Sequence, residues 1–226
     1  MNGSASLILY EISVWAIPAV IAITFHEASH GYVAHLLGDD TAWRLGRVSF
    51  NPLVHVDPFG TILLPVMLLL FRAPFLFGYA KPVPVNFAQL RHPKRDMIWV
   101  AAAGPGMNIL LAILSVLLIY IPAALGAPPS GILLALLWGS VEINLVLAIF
   151  NLIPLPPLDG GRVAVGLLPL PLARPLAQLS RYGILPLLVL LVVLPYAGID
   201  IFHWLVEIPV QFLERPALAL LNTVVH

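Results

Sequence analysis

The 226-residue chain contains no cysteine, which excludes disulfides, thiolate zinc ligands and palmitoylation. Charge is scarce as well: 10% of residues are Asp, Glu, Lys or Arg, against about 25% in ordinary soluble domains. The formal net charge is zero and no basic block occurs, so nothing recommends nucleic acid as a partner. Met1 to Ser6 lack a basic region and a cleavage signal, so the first apolar run is expected to persist as a membrane span. No internal repeat, low-complexity tract or soluble regulatory domain is visible. What is present is apolar: 60% of residues are hydrophobic and the mean hydropathy is +0.98. That composition specifies an integral membrane protein.

Runs long enough to cross a bilayer lie at about 7–37, 97–123, 131–153 and 183–206. Phe59 to Phe71 is apolar but short, and Arg72, Pro74, Gly78, Pro82 and Pro84 follow it, a pattern that reads as a re-entrant hairpin. Ile208 to Val225 mixes Gln211, Glu214 and Arg215 with apolar residues and is expected along the membrane surface. Thr41 to Phe50 and the Val/Pro-alternating Ala80 to Asn86 are the candidate strands. Ten of the eleven Lys and Arg fall in loops 38–58, 72–95 and 155–182. With 59–71 re-entrant, all ten share one side, as cytoplasmic loops do, so the N-terminus is expected outside. The expected fold is therefore all-α and polytopic. It has about four full transmembrane helices, a re-entrant hairpin and a small membrane-associated β element, within one domain of residues 1–226.

His26-Glu27-Ala28-Ser29-His30 forms an HExxH motif at the end of the first run. On a helix His26 and His30 share a face about 6 Å apart, within reach of one zinc ion. Glu27 stands beside them, where it can take a proton from water activated by the ion. The bland alternative is two histidines used for packing at a helix end, but ionisable residues at membrane depth are expensive and usually functional.

A catalytic zinc takes three protein ligands. Positions 33 and 36 are Val and Leu, so the motif does not extend to a third nearby histidine, and the candidates are His55, Asp57, Glu142 and Asp159. Asp159 is the strongest. It lies in Asn151-Leu-Ile-Pro-Leu-Pro-Pro-Leu-Asp-Gly-Gly-Arg162, where Pro154, Pro156 and Pro157 stop the third long helix and Gly160-Gly161 permits a tight turn. Capping of a following helix is the competing role for Asp159. Asn151 can donate to the oxyanion of a tetrahedral intermediate or make an interhelical hydrogen bond. Asn144 and Asn108 read as interhelical polar contacts, and Gly104-Pro105-Gly106 as small-residue packing.

With these residues in hand, the chain resembles the site-2 protease family of intramembrane zinc metalloproteases. The resemblance rests on HEASH at 26–30 and NLIPLPPLDGGR at 151–162, with NPLVHVDPFGTILLP (51–65), GYAKPVPVN (78–86) and AAAGPGMN (101–108) in support. It implies one Zn2+ per chain held by His26, His30 and Asp159, Glu27 as catalytic base, Asn151 assisting the transition state, and a transmembrane segment of another protein as substrate. It also implies a catalytic core at 7–165, with a C-terminal span and surface helix at 166–226. The compact form, without an inserted PDZ or CBS domain, is similar to small prokaryotic members. A prokaryotic plasma membrane, with the active site near the cytoplasmic face, is the expected setting. Two departures are the lack of a span before the HExxH helix and of any accessory domain to regulate cleavage. Self-association into a homo-oligomer is compatible with the sequence and not specified by it. A divalent-metal transporter is the rival reading, because His, Glu and Asp at membrane depth serve an ion path equally well, although no paired halves are present.

Overall fold

The computed structural model describes residues 2–70, 78–129 and 131–224. Among them three helices are long and apolar enough to cross a membrane: Ile12–Leu36 within α1 (Asn2–Leu36), α4 (Pro93–Ala124) and α5 (Gly131–Leu152). Between α1 and α4 lie a single helical turn, α2 (Thr41–Arg44), and the short α3 (Leu64–Leu70). After α5 come α6 (Asp159–Leu167), α7 (Leu170–Gln178), α8 (Leu185–Leu188), α9 (Leu194–Tyr196) and α10 (Ile208–Val224). The three long helices pack directly on one another, and α6 lies against the start of α4, where Lys94 Nζ donates to the Leu168 carbonyl at 2.8 Å.

The same end of the bundle gathers the C-terminal halves of α1 and α5 and the N-terminal half of α4. That follows from the chain: α1 ends at Leu36, and the connection to Pro93 returns to the end it left. Within it, Tyr79 N–H donates to the Gly60 carbonyl at 3.1 Å and Thr61 Oγ1 donates to the Tyr79 carbonyl at 3.0 Å. Gly60 and Thr61 therefore lie side by side with Tyr79. Phe71, Arg72 and Pro74 lie outside the described residues.

Two expectations need correction. Among the described residues there is no β-strand. Thr41 to Arg44 turns into a helix because Asp39 Oδ1 accepts the Thr41 N–H and hydroxyl, and Gly46, at φ +64°, ends the excursion. Ala80 to Asn86 is extended, yet its donors go elsewhere: Lys81 N–H to the His55 carbonyl, Val83 N–H to Glu27, Asn86 N–H to Asp39. Pro82 and Pro84 have no N–H to offer a ladder.

The run at 183–206 is also not one span. Helix ends at Tyr196, Gly198 turns at φ +80°, and Asp200 Oδ1 accepts the His203 N–H to start a new helix. Leu185–Tyr196 forms a fourth candidate crossing only together with Leu170–Tyr182, to which it is bent by 86°. Val210 of α10, and Val206 just before it, are buried with Ala112 of α4, Val141 and Leu145 of α5, and Leu187 of α8, so one face of that stretch packs on the bundle.

Candidate metal centre

His26 and His30 sit one turn apart on α1, and Asp159 is the first residue of α6. The chain reaches Asp159 through a sharp break after α5. A Cβ on Gly160 would overlap the Leu152 carbonyl and one on Gly161 would overlap Pro156, so only glycines let the turn close and bring the carboxylate back beneath α5. The competing capping role is not realised: Leu158 occupies the cap position with no side-chain cap bond.

The three side chains converge. His26 Nε2 and His30 Nε2 are 3.1 Å apart, and Asp159 Oδ2 lies 3.2 Å from the first and 3.3 Å from the second. All three residues are buried, between 6 and 7% exposed, and they are the only such group of His, Cys, Asp and Glu among the described residues. His55 instead donates from Nε2 to the Ser49 carbonyl, and Asp57 accepts from Phe59 and Gly60 N–H. Neither they nor Glu142 joins the cluster. Burial alone pushes the Asp159 carboxyl up, but the neighbouring His30 and His26 outweigh it and hold the carboxyl below its ordinary range.

The donor set fits zinc on three counts. A tetrahedral centre with bonds of about 2.0–2.1 Å spaces its ligands about 3.3 Å apart, which is the triangle found. Each imidazole spends Nδ1 on an oxygen, His26 on Asn108 Oδ1 at 2.6 Å and His30 on the Val100 carbonyl at 2.7 Å. That leaves both Nε2 atoms facing inward at 3.1 Å, free to offer their lone pairs to a cation between them. Lastly, a Cβ on Gly104 would come within 2.5 Å of His30 Nε2 and 2.6 Å of His26 Nε2. Glycine there leaves the space open.

A cavity of about 160 Å³ adjoins the triad, lined by Glu27, Pro82, Val83, Val85, Asn151 and Arg162 among others. Glu27 Oε2 accepts the Val83 N–H at 2.7 Å. Asn151 reaches this cavity while donating one amide hydrogen to the Leu147 carbonyl at 2.9 Å, so its second remains for another acceptor. The structure places His26, Glu27, His30, Asn151 and Asp159, the residues singled out in the sequence, around one cavity. The sequence reading missed the backing. Val100, Gly104 and Asn108, spaced four apart on α4, supply a carbonyl, a gap and an amide to the two histidines. The signal was that regular spacing inside VAAAGPGMN (100–108), which reads equally well as plain helix packing.

Comparison with known proteins decides the family. The family model described as peptidase family M50 matches residues 126–195. YwhC of Bacillus subtilis, which bears a zinc metalloprotease name, is 39% identical over 182 residues, covering 78% of each chain. The chain belongs to peptidase family M50. The M50 model spans Asn151 and Asp159 but not HEASH, which the fold supplies from α1. Two further relatives with zinc metalloprotease names are Rip2 of Mycobacterium tuberculosis and MJ0611 of Methanocaldococcus jannaschii. The first is 26% identical over 90% of this chain and 75% of its own, the second 29% over 70% and 71%. No solved structure matches significantly. This M50 chain is thus a metalloprotease of the site-2 protease type and an integral membrane protein.

Proposed function

We propose that this protein is an intramembrane zinc metalloprotease that hydrolyses peptide bonds within or near transmembrane segments of other membrane proteins. The observation that carries the reading is the triangle of His26, His30 and Asp159 donors inside a helix bundle that is apolar on its outside. One zinc per chain follows, because a single chain supplies all three ligands. The ion would contribute Lewis acidity, polarising a peptide carbonyl and making water more acidic.

The chain's own residues do the rest. Glu27 takes a proton from the attacking water and delivers it to the departing amide nitrogen. The Val83 N–H holds Oε2 in place for both transfers. Asn151 offers its uncommitted amide hydrogen to the oxygen that gains charge. A helical substrate presents no free carbonyl, so it must unwind, and unpaired backbone in lipid costs several kcal/mol per group. The extended strap 80–86 offsets that cost, since the carbonyls of Val83, Pro84 and Val85 have no partner among the described residues and can pair with an extended peptide. Ten of eleven Lys and Arg fall in segments 38–58, 72–95 and 155–182, the connections after α1, before α4 and after α5, which supports an active site near the cytoplasmic face of the membrane.

The test is zinc content and cleavage of a transmembrane peptide by wild type, His26→Ala, Asp159→Ala and Glu27→Gln. The two ligand variants should lose zinc and activity together. Glu27→Gln should keep zinc while cleavage falls about 10²–10⁴-fold. Undiminished cleavage in Glu27→Gln would overturn the mechanism.

A further inference from the structure

We infer that Asn108, aligned by Asn144, is a positioning residue that fixes the tautomer of His26 and so keeps its Nε2 lone pair turned towards the metal. The inference rests on the zinc reading above and goes beyond it by naming what holds a ligand in its binding form. A neutral imidazole carries one N–H, and zinc requires that proton to be on the far nitrogen. His30 solves this with main chain, through the Val100 carbonyl. His26 has only a side chain to rely on, and an amide can present either end to it.

The surrounding bonds remove that ambiguity. Asn108 is fully buried and Asn144 is 1% exposed. Asn144 Nδ2 donates to the Ser140 carbonyl at 2.8 Å, which leaves its Oδ1 to accept from Asn108 Nδ2 at 2.8 Å. Asn108 Nδ2 also donates to the Ala22 carbonyl at 3.3 Å. Backbone carbonyls can only accept. Turning Asn144 over would set its oxygen against the Ser140 carbonyl, and turning Asn108 over would set two oxygens against Ala22 and Asn144. Both ends of the chain of bonds are therefore pinned by groups that cannot reverse, and Asn108 Oδ1 must face His26 Nδ1 at 2.6 Å. Shielded from solvent by burial, a satisfied amide pair has no competing arrangement. The bonds also tie α1, α4 and α5 together at the level of the site.

Asn108→Leu keeps the volume and removes the acceptor. Asn108→Asp keeps an oxygen to accept from His26 Nδ1. Zinc affinity by chelator competition should fall roughly 10–100-fold in Asn108→Leu and stay within a few-fold of wild type in Asn108→Asp. The visible spectrum of the cobalt-loaded protein, which reads coordination geometry, should change in the first and not the second. Ser115→Ala, which removes the hydroxyl bonded to Ser140 farther along the bundle, should leave both readings unchanged. If Asn108→Leu does not fold, Asn144→Leu replaces it and should still weaken zinc at least threefold. His26→Ala and Asp159→Ala run in parallel. Retention of zinc in those two would sink the metal centre itself. Their loss of zinc beside unaltered affinity in Asn108→Leu and Asn144→Leu would overturn only this inference. An Asn108→Asp no better than the leucine, or a Ser115→Ala equally impaired, would overturn it too.

Discussion

At the scale of single residues, the site is legible where chemistry restricts the side chain. Zinc accepts few donors, and HExxH is the helical spacing that sets two of them beside a base. His26, Glu27 and His30 therefore announce themselves, and Asp159 follows once a carboxylate is sought at a helix break of the right depth. Gly104 carries no such mark, because its contribution is an absence. A methyl group there would stand 2.5–2.6 Å from both Nε2 atoms, closer than any carbon tolerates, and neither histidine can retreat while its Nδ1 is bonded. Gly104→Ala should reduce zinc affinity at least tenfold although alanine is the better helix former by about 1 kcal/mol. Chelator competition checks the first effect and thermal unfolding of the metal-free form the second. Retained zinc in a folded Gly104→Ala protein would mean the triad is looser than its contacts imply. A packing glycine, by contrast, would lower stability on substitution and leave metal affinity alone.

At the scale of elements, the sequence reading found the long helices and missed what the connections do. Length and hydropathy define a span without reference to partners, so α1, α4 and α5 were visible. The stretches at 41–50 and 80–86 depended on tertiary bonds that no local pattern records. Asp39 is the clearest case. It is fully buried and accepts from Thr41 N–H, Thr41 Oγ1 and Asn86 N–H, so one carboxylate both bends the chain after α1 and anchors the far end of the strap. Arg47 Nη2 secures the near end through the Lys81 and Pro82 carbonyls at 2.8 and 3.3 Å. Asp39→Ala leaves buried donors unpaired, at a cost of about 1–3 kcal/mol each, and should lower the unfolding midpoint markedly. Arg47→Ala works on an exposed bond, so stability and zinc content should hold while KM for a transmembrane peptide rises severalfold. A change in kcat alone, with KM constant, would remove the strap from substrate binding.

For the whole molecule, the metal ligands come from segments distant in sequence, α1 and α6, and are backed by α4. In that arrangement an ion is also a cross-link. Without it, two imidazoles and a carboxylate lie within 3.3 Å of one another with a shared proton as their only cation, and the packing of the helices must hold α6 in place. Binding to the folded state alone contributes about 4 kcal/mol when free zinc is a thousandfold above its dissociation constant. For a chain of this size that corresponds to a midpoint shift of roughly 8–16 °C. Chelation should therefore lower the thermal midpoint of the wild-type protein in detergent by about that amount, and returning zinc should restore it. His26→Ala should start near the chelated value and respond to neither treatment. Equal midpoints for zinc-loaded and chelated wild type would show that α6 is held by apolar contacts with α4 and α5 alone, and that the ion serves the chemistry without holding the fold.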